Sequence, residues 1–124
     1  MPAMEWEGKM NEVTVVIPNY NGIRFIKGCL EALLSQEDAP RFRVLVVDNG
    51  STDGSRELVG EGFPEVDLIS LPSNTGFCHA VNVGILASDT PYVILLNNDT
   101  KALPVFVKGL YDAAEAVPDA FSVS

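Results

Sequence analysis

Residues 43–55 read RVLVVDNGSTDGS, an apolar, β-branched run that breaks at Asp48 into turn-forming residues. The first half predicts a buried strand over 43–48, because Val and Leu fill both faces of the pleat instead of alternating with polar residues. The second half predicts a loop, since Asn, Asp and Ser side chains bond their own neighbouring backbone and glycine reaches left-handed conformations. Asp53 and Ser55 are suited to start a short helix around 53–60. A strand apolar on both faces must be covered on both faces, which directs the reading toward a parallel sheet with helices on either side.

The rest of the chain follows the same grammar. VTVVIP (13–18) is a second run of this kind, stopped by Pro18. Ile23, Ile26, Leu30, Leu33 and Leu34 recur at helical spacing and predict a helix over 22–36. VDLISL (66–71) and YVILLN (92–97) predict two further strands. Between them, Phe77, Ala80, Val81, Gly84 and Ile85 share one face of a helix over 75–88. Pro104 suits the first turn of a last helix with an apolar stripe of Phe106, Leu110, Ala113, Ala114 and Val117. The order β-α-β-α-β-α-β-α gives an α/β fold with a parallel sheet covered by helices on both faces. Residues 1–12 are expected to be a loose, tag-like lead-in to a single unit spanning 13–124. The final AFSVS reads as the opening of a fifth strand, so the chain is expected to be one half of a larger fold.

Composition narrows the partners. The 124 residues are 47% hydrophobic and 20% charged, in the range of a folded domain. Eight basic against seventeen acidic residues give a net charge of −9, which argues against nucleic acid. A nucleotide stays compatible with that charge, because one bound cation reverses the sign of a local acidic site. Cys29 and Cys78 lack metal-type spacing and are expected to be buried free thiols. His79 has no Cys or His partner at zinc spacing and reads as a surface or packing residue. The N-terminus has no apolar signal-peptide core, and no apolar run approaches the ~20 residues of a membrane span. A cytoplasmic location is expected.

In an open parallel sheet, ligands bind beyond the carboxyl ends of the strands. Those ends are Pro18-Asn19-Tyr20-Asn21-Gly22, Asp48-Asn49-Gly50-Ser51, Pro72-Ser73-Asn74-Thr75-Gly76 and Asn97-Asn98-Asp99. All four are polar, and none carries a GxGxxG or Walker-type phosphate loop. Taken alone, Asp48 before Asn49-Gly50 reads as a turn initiator, and Tyr20 as a packing aromatic. Four such ends at one edge of a sheet carry more weight than any one of them.

The motifs VTVVIPNYNG, VLVVDNGSTDGS, SNTGFCHAVNVGILAS and YVILLNNDT, in this order and spacing, resemble the donor-binding half of family 2 glycosyltransferases of the GT-A fold. Among these, the resemblance is to the branch that includes rhamnosyltransferase-like enzymes. It implies a nucleoside-diphosphate sugar, a UDP- or dTDP-sugar, as the bound partner. It implies that Pro18, Tyr20 and Asn21 close over the nucleotide and that Asp48 meets the pyrimidine edge. Asn74 and Gly76 would border the base and diphosphate, and Asp99 would hold Mg²⁺ or Mn²⁺. An ionised carboxylate only accepts hydrogen bonds, which suits the imide N–H of uracil or thymine. Hard divalent cations take oxygen ligands and keep several waters, so one carboxylate with a diphosphate is a workable set.

Asn97 stands where the family's metal motif has its first Asp. A neutral amide suits a ribose hydroxyl better than a cation, so Asn97 is expected to touch the nucleotide sugar, and it favours a deoxyribose-bearing dTDP donor. No carboxylate matches the family's catalytic base, and none is assigned. The implied activity is transfer of the sugar, with inversion, to the hydroxyl of a saccharide or lipid-linked acceptor, with this chain inactive alone. A non-catalytic nucleotide-binding module stays open. So does a nucleotidyltransferase, although NYNGIR lacks the glycine-rich basic loop that a triphosphate would need. An uncovered sheet edge is expected to drive self-association.

Overall fold

The computed structural model describes residues 11–117. Strands β1 (Val13–Asn19), β2 (Phe42–Asp48), β3 (Asp67–Ser70) and β4 (Tyr92–Leu95) alternate with helices α1 (Ile26–Leu34), α2 (Ser55–Gly62), α3 (Phe77–Ala87) and α4 (Phe106–Ala116). Every pairing is parallel, in the order β3-β2-β1-β4. The expected fifth strand and all but the last two residues of the lead-in lie outside the described residues.

Pleat parity assigns each strand residue to one of two cores. Val13, Val15 and Ile17 of β1 and Val44 and Val46 of β2 pack under Ile26, Leu30 and Leu33 of α1, Val59 of α2 and Val107 of α4. Val16, Leu45 and Val47 point the other way and meet Ala80 of α3. Helices therefore cover both faces, α3 alone on one of them. Full burial of each Leu, Ile or Val contributes roughly 1.5–3 kcal/mol, so β1 and β2 dominate the stability.

The helix boundaries depart from the sequence expectation for identifiable reasons. α1 starts at Ile26 instead of residue 22, because Asn21 takes a left-handed φ of 49° and the Gly22 carbonyl accepts from the N–H groups of Phe25 and Ile26. Ile23 is consequently exposed, its N–H donating to Asp53 Oδ2 at 3.0 Å. In α4 the buried residue is Val107, with Phe106 and Tyr111 against the core, while Val117 is exposed. The α4 start is held from the segment just after α1: Gln36 Oε1 accepts from Val107 N at 2.9 Å and Gln36 Nε2 donates to Leu103 O at 2.7 Å. Tyr111 meets Tyr92 edge-on, centroids 5.7 Å apart, which fixes α4 against the start of β4.

β4 also differs from a strand buried on both faces. Its Tyr92 and Ile94 pack on the larger core, but Val93 is 38% and Leu95 47% exposed. Ile85 and Leu86 of α3 are exposed as well. The reason is topological: β4 is an edge strand in the described sheet, and α3 lies over β1 and β2. Among the described residues, no helix is long and apolar enough to cross a membrane.

α3 rests on the sheet at Gly84, where an added Cβ would run into Val16 and come within 3.2 Å of Val47. Gly84→Ala should therefore cost about 1–3 kcal/mol, read as a lowered urea midpoint at unchanged m. The cysteines are both free, but Cys29 is buried and Cys78 exposed, which corrects the expectation of two buried thiols. Burial, then the charge of Asp99, pushes the Cys29 thiol up to about 11. At pH 8 an aromatic disulfide reagent should titrate one thiol per native chain quickly, from Cys78, and the second only after denaturation.

Candidate functional site

Because β2 and β4 flank β1 on opposite sides, the strand order reverses at β1, and the crevice of such a sheet opens there. An open cavity of about 360 Å³ lies at these strand ends. It is lined by Pro18, Asn19 and Tyr20 after β1, Asn49 after β2, Asn74 and Phe77 before and on α3, and Asn97, Asn98 and Asp99 after β4. Of the residues selected from sequence, Pro18, Tyr20, Asn74, Asn97 and Asp99 are thus brought together.

Three others do not line the cavity. Asp48 is fully buried: its Oδ1 accepts from Asn19 Nδ2 at 3.0 Å and its Oδ2 from Ser51 N at 2.9 Å. Parity explains this position, since Asp48 shares the face of Val44 and Val46 and is turned under the α1–α2 layer. Asn21 spans the loops instead of facing the cavity, its N–H donating to Ser51 Oγ at 2.9 Å and its Oδ1 accepting from Thr52 N at 2.8 Å. Gly76 opens α3, with its N–H on Asn74 Oδ1 and its carbonyl accepting from Asn49 Nδ2.

Asn19, Asn49, Asn98 and Phe77 were not singled out from the sequence. Asn49 organises the loop before α3: its Nδ2 donates to Asn74 Oδ1 at 3.0 Å, and its Oδ1 accepts from the N–H and hydroxyl of Thr75. This closeness depends on Gly50, which has φ +81°, and where a Cβ would fall 2.6 Å from the Ser73 backbone. Period-2 counting along β2 would have shown that Asp48 and Asn49 face opposite ways. Phe77 was read as a core residue of α3 but is 55% exposed at the cavity.

The loop after β2 is itself braced. Asp53 Oδ1 accepts from Ser55 N and from Ser55 Oγ at 2.6 Å, while Oδ2 accepts from Ile23 N. Desolvation alone would raise the Asp53 pKa, but these hydrogen bonds from Ser55 and Ile23 outweigh it and hold the carboxyl below the ordinary value.

The donor chemistry of the cavity is all oxygen and nitrogen, with Asp99 as its one carboxylate. Among the described residues, no group of three or more His, Cys, Asp or Glu could hold a metal. A hard divalent cation fits the residues present as a shared ligand, with Asp99 and amide oxygens on one side and substrate oxygens or water on the other.

Comparison with known proteins agrees with this geometry. A teichoic acid poly(glycerol phosphate) polymerase of Staphylococcus epidermidis is 35% identical over 94 residues, which is 73% of this chain and 13% of that protein. The structure of S. aureus TarS 1–349 in complex with UDP-GlcNAc matches with a TM-score of 0.75 at 25% identity, over 85% of this chain and 31% of that one. Mannosyltransferase PcManGT from Pyrobaculum calidifontis, in complex with GDP-Man and Mn²⁺, matches with a TM-score of 0.72 at 25% identity, over 90% and 37%. The chain thus spans well under half the length of the proteins it matches. The model of glycosyl transferase family 2 matches residues 14–124, nearly the full sequence, and the chain belongs to that family.

Proposed function

We propose that this chain forms the nucleotide-binding half of an enzyme that transfers a sugar from a nucleoside diphosphate to an acceptor hydroxyl. The observation that carries this is the convergence of Tyr20, Asn74, Asn97 and Asp99 on one open cavity at the reversal of strand order. One matched structure is named a mannosyltransferase and is a complex with GDP-Man and Mn²⁺, and another is a complex with UDP-GlcNAc. In the reaction, the acceptor oxygen bonds to the anomeric carbon as that carbon's bond to the diphosphate oxygen breaks, with inversion. A saccharide or lipid-linked acceptor, a rhamnosyltransferase-like donor preference and a cytoplasmic location belong to this reading.

The roles follow from chemistry at each position. Tyr20, 49% exposed, offers a ring for a base to stack on, and Asn74 an amide beside it. Asp99 holds Mg²⁺ or Mn²⁺, which when bound compensates the charge on the departing diphosphate. Asn97, a neutral amide, contacts the ribose and suits the deoxyribose of a dTDP-sugar. Pro18 shapes the wall beside Tyr20. Asn21 and Gly76 support the site by shaping the loops, and Asp48 by anchoring them. No residue of this chain is assigned as the general base.

Calorimetric titration with UDP, dTDP and GDP, with and without Mn²⁺, tests this. Binding of one pyrimidine diphosphate that strengthens with Mn²⁺ is expected, and Asp99→Ala should abolish the metal-dependent increment. Equal binding of all three nucleotides, indifferent to Mn²⁺ and to the substitution, would defeat the reading. We also propose that this chain self-associates through the open edge of β4 and the exposed Val93 and Leu95. Light scattering over a concentration series should show a dimer or larger species that Leu95→Lys returns to monomer, whereas a monomer throughout would refute it.

A further inference from the structure

The cavity wall is backed by a directional chain of amide hydrogen bonds. Asn19 is 1% exposed, and its Nδ2 donates to Asp48 Oδ1 and to Ser55 Oγ, each at 3.0 Å. Neither acceptor can change role. A carboxylate only accepts, and the Ser55 hydroxyl proton is committed to Asp53 Oδ1 at 2.6 Å. The Asn19 amide is therefore held with nitrogen inward, and its Oδ1 accepts from Asn98 Nδ2 at 2.8 Å. That in turn fixes the second amide. Asn98 spends its nitrogen on Asn19, and its Oδ1 receives no hydrogen bond from any described residue.

We infer that Asn19 is a positioning residue that sets the polarity of Asn98, so that the loop after β4 offers the Asn98 carbonyl oxygen next to Asp99. An oxygen there receives a divalent cation or a hydroxyl group. The reversed amide would present an N–H, which repels a cation. Asp48 and Ser55 act on the site through this relay, without touching its occupant. The inference rests on the donor-site reading above, but its geometry can be tested separately.

Gly22 supplies a probe that alters no member of the relay. A Cβ at this buried position would collide with both Asn98 Nδ2 and Asn19 Oδ1, the two bonded atoms. Its φ is not left-handed, so alanine fits the backbone there. Gly22→Ala should break the Asn19–Asn98 bond and leave the Asn19–Asp48 bond in place.

The experiment combines side-chain amide exchange by NMR with titration of UDP or dTDP, with and without Mn²⁺, for the wild type, Gly22→Ala, Asn98→Ala and the double variant. In the wild type, both amide protons of Asn19 and the one of Asn98 bonded to Asn19 should exchange slowly with solvent. In Gly22→Ala only that of Asn98 should become fast. Each single variant should lower Mn²⁺-dependent affinity by roughly 10–100-fold, the range for residues that orient a metal's ligands. The double variant should lose no more than either single one, and nucleotide affinity without metal should be largely kept.

Additive losses, or an equal loss with and without Mn²⁺, would overturn the inference in favour of a merely structural role. A wild-type Asn98 amide that exchanges freely would overturn it without any variant, so a variant that fails to fold does not shield it. A wild type with both amides protected but no nucleotide binding would leave the relay standing and defeat the donor-site reading alone.

Discussion

The side chain of Asn19 is the constraint on which the site depends. It sits at the end of β1, an inner strand flanked by β2 and β4, and it bonds to Asp48 at the end of β2 and to Asn98 after β4. A buried amide of this kind is stable only if its polar atoms are satisfied, because each one left unpaired in a low-dielectric interior costs about 1–3 kcal/mol. Here no buried side-chain nitrogen or oxygen among the described residues lacks a partner. Two loops at the cavity are thereby held to one reference point, and a third, before α3, is held through Asn49.

This organisation lets a site made of loops be precise. The cavity residues come from four separate strand ends, and loops by themselves wander. The polar layer beneath them is in turn clamped between the hydrophobic packing of α1 and α2 and the sheet. The carboxylates divide accordingly: Asp48, buried, and Asp53, half-buried, brace backbone, while Asp99 stays exposed where a cation can reach it. The acidic surplus of the sequence is consistent with the proposed nucleotide ligand in these terms, because a bound cation would join one carboxylate to that ligand's phosphates.

The uneven cover of the sheet is the other structural theme. One face carries α1, α2 and α4, and the other α3 alone, so the outer face of β4 is left bare. A sequence as apolar as YVIL predicts cover on both sides. The matched proteins are longer than this chain by a factor of more than two, and Val93 and Leu95 leave apolar surface exposed on the bare face.

The sequence by itself determined the class of fold, the order of elements and the edge at which the site lies. Strands apolar on both faces admit little else than a covered parallel sheet, and parallel strands place all their carboxyl ends together. Tyr20, Asn74, Asn97 and Asp99 were legible only through the resemblance of their motifs to family 2 glycosyltransferases, since each read alone fits a turn or packing role. Alternation along a strand tells that two adjacent polar residues face opposite ways, but which of them lines the cavity was decided by tertiary structure. Asp48 and Asn49 are neighbours in sequence, but the pleat turns one into the interior and the other to the cavity. The same holds for Asn19 and Asn98: their partners are 29 to 79 residues away, and amide polarity is set by those long-range bonds, which no local pattern encodes.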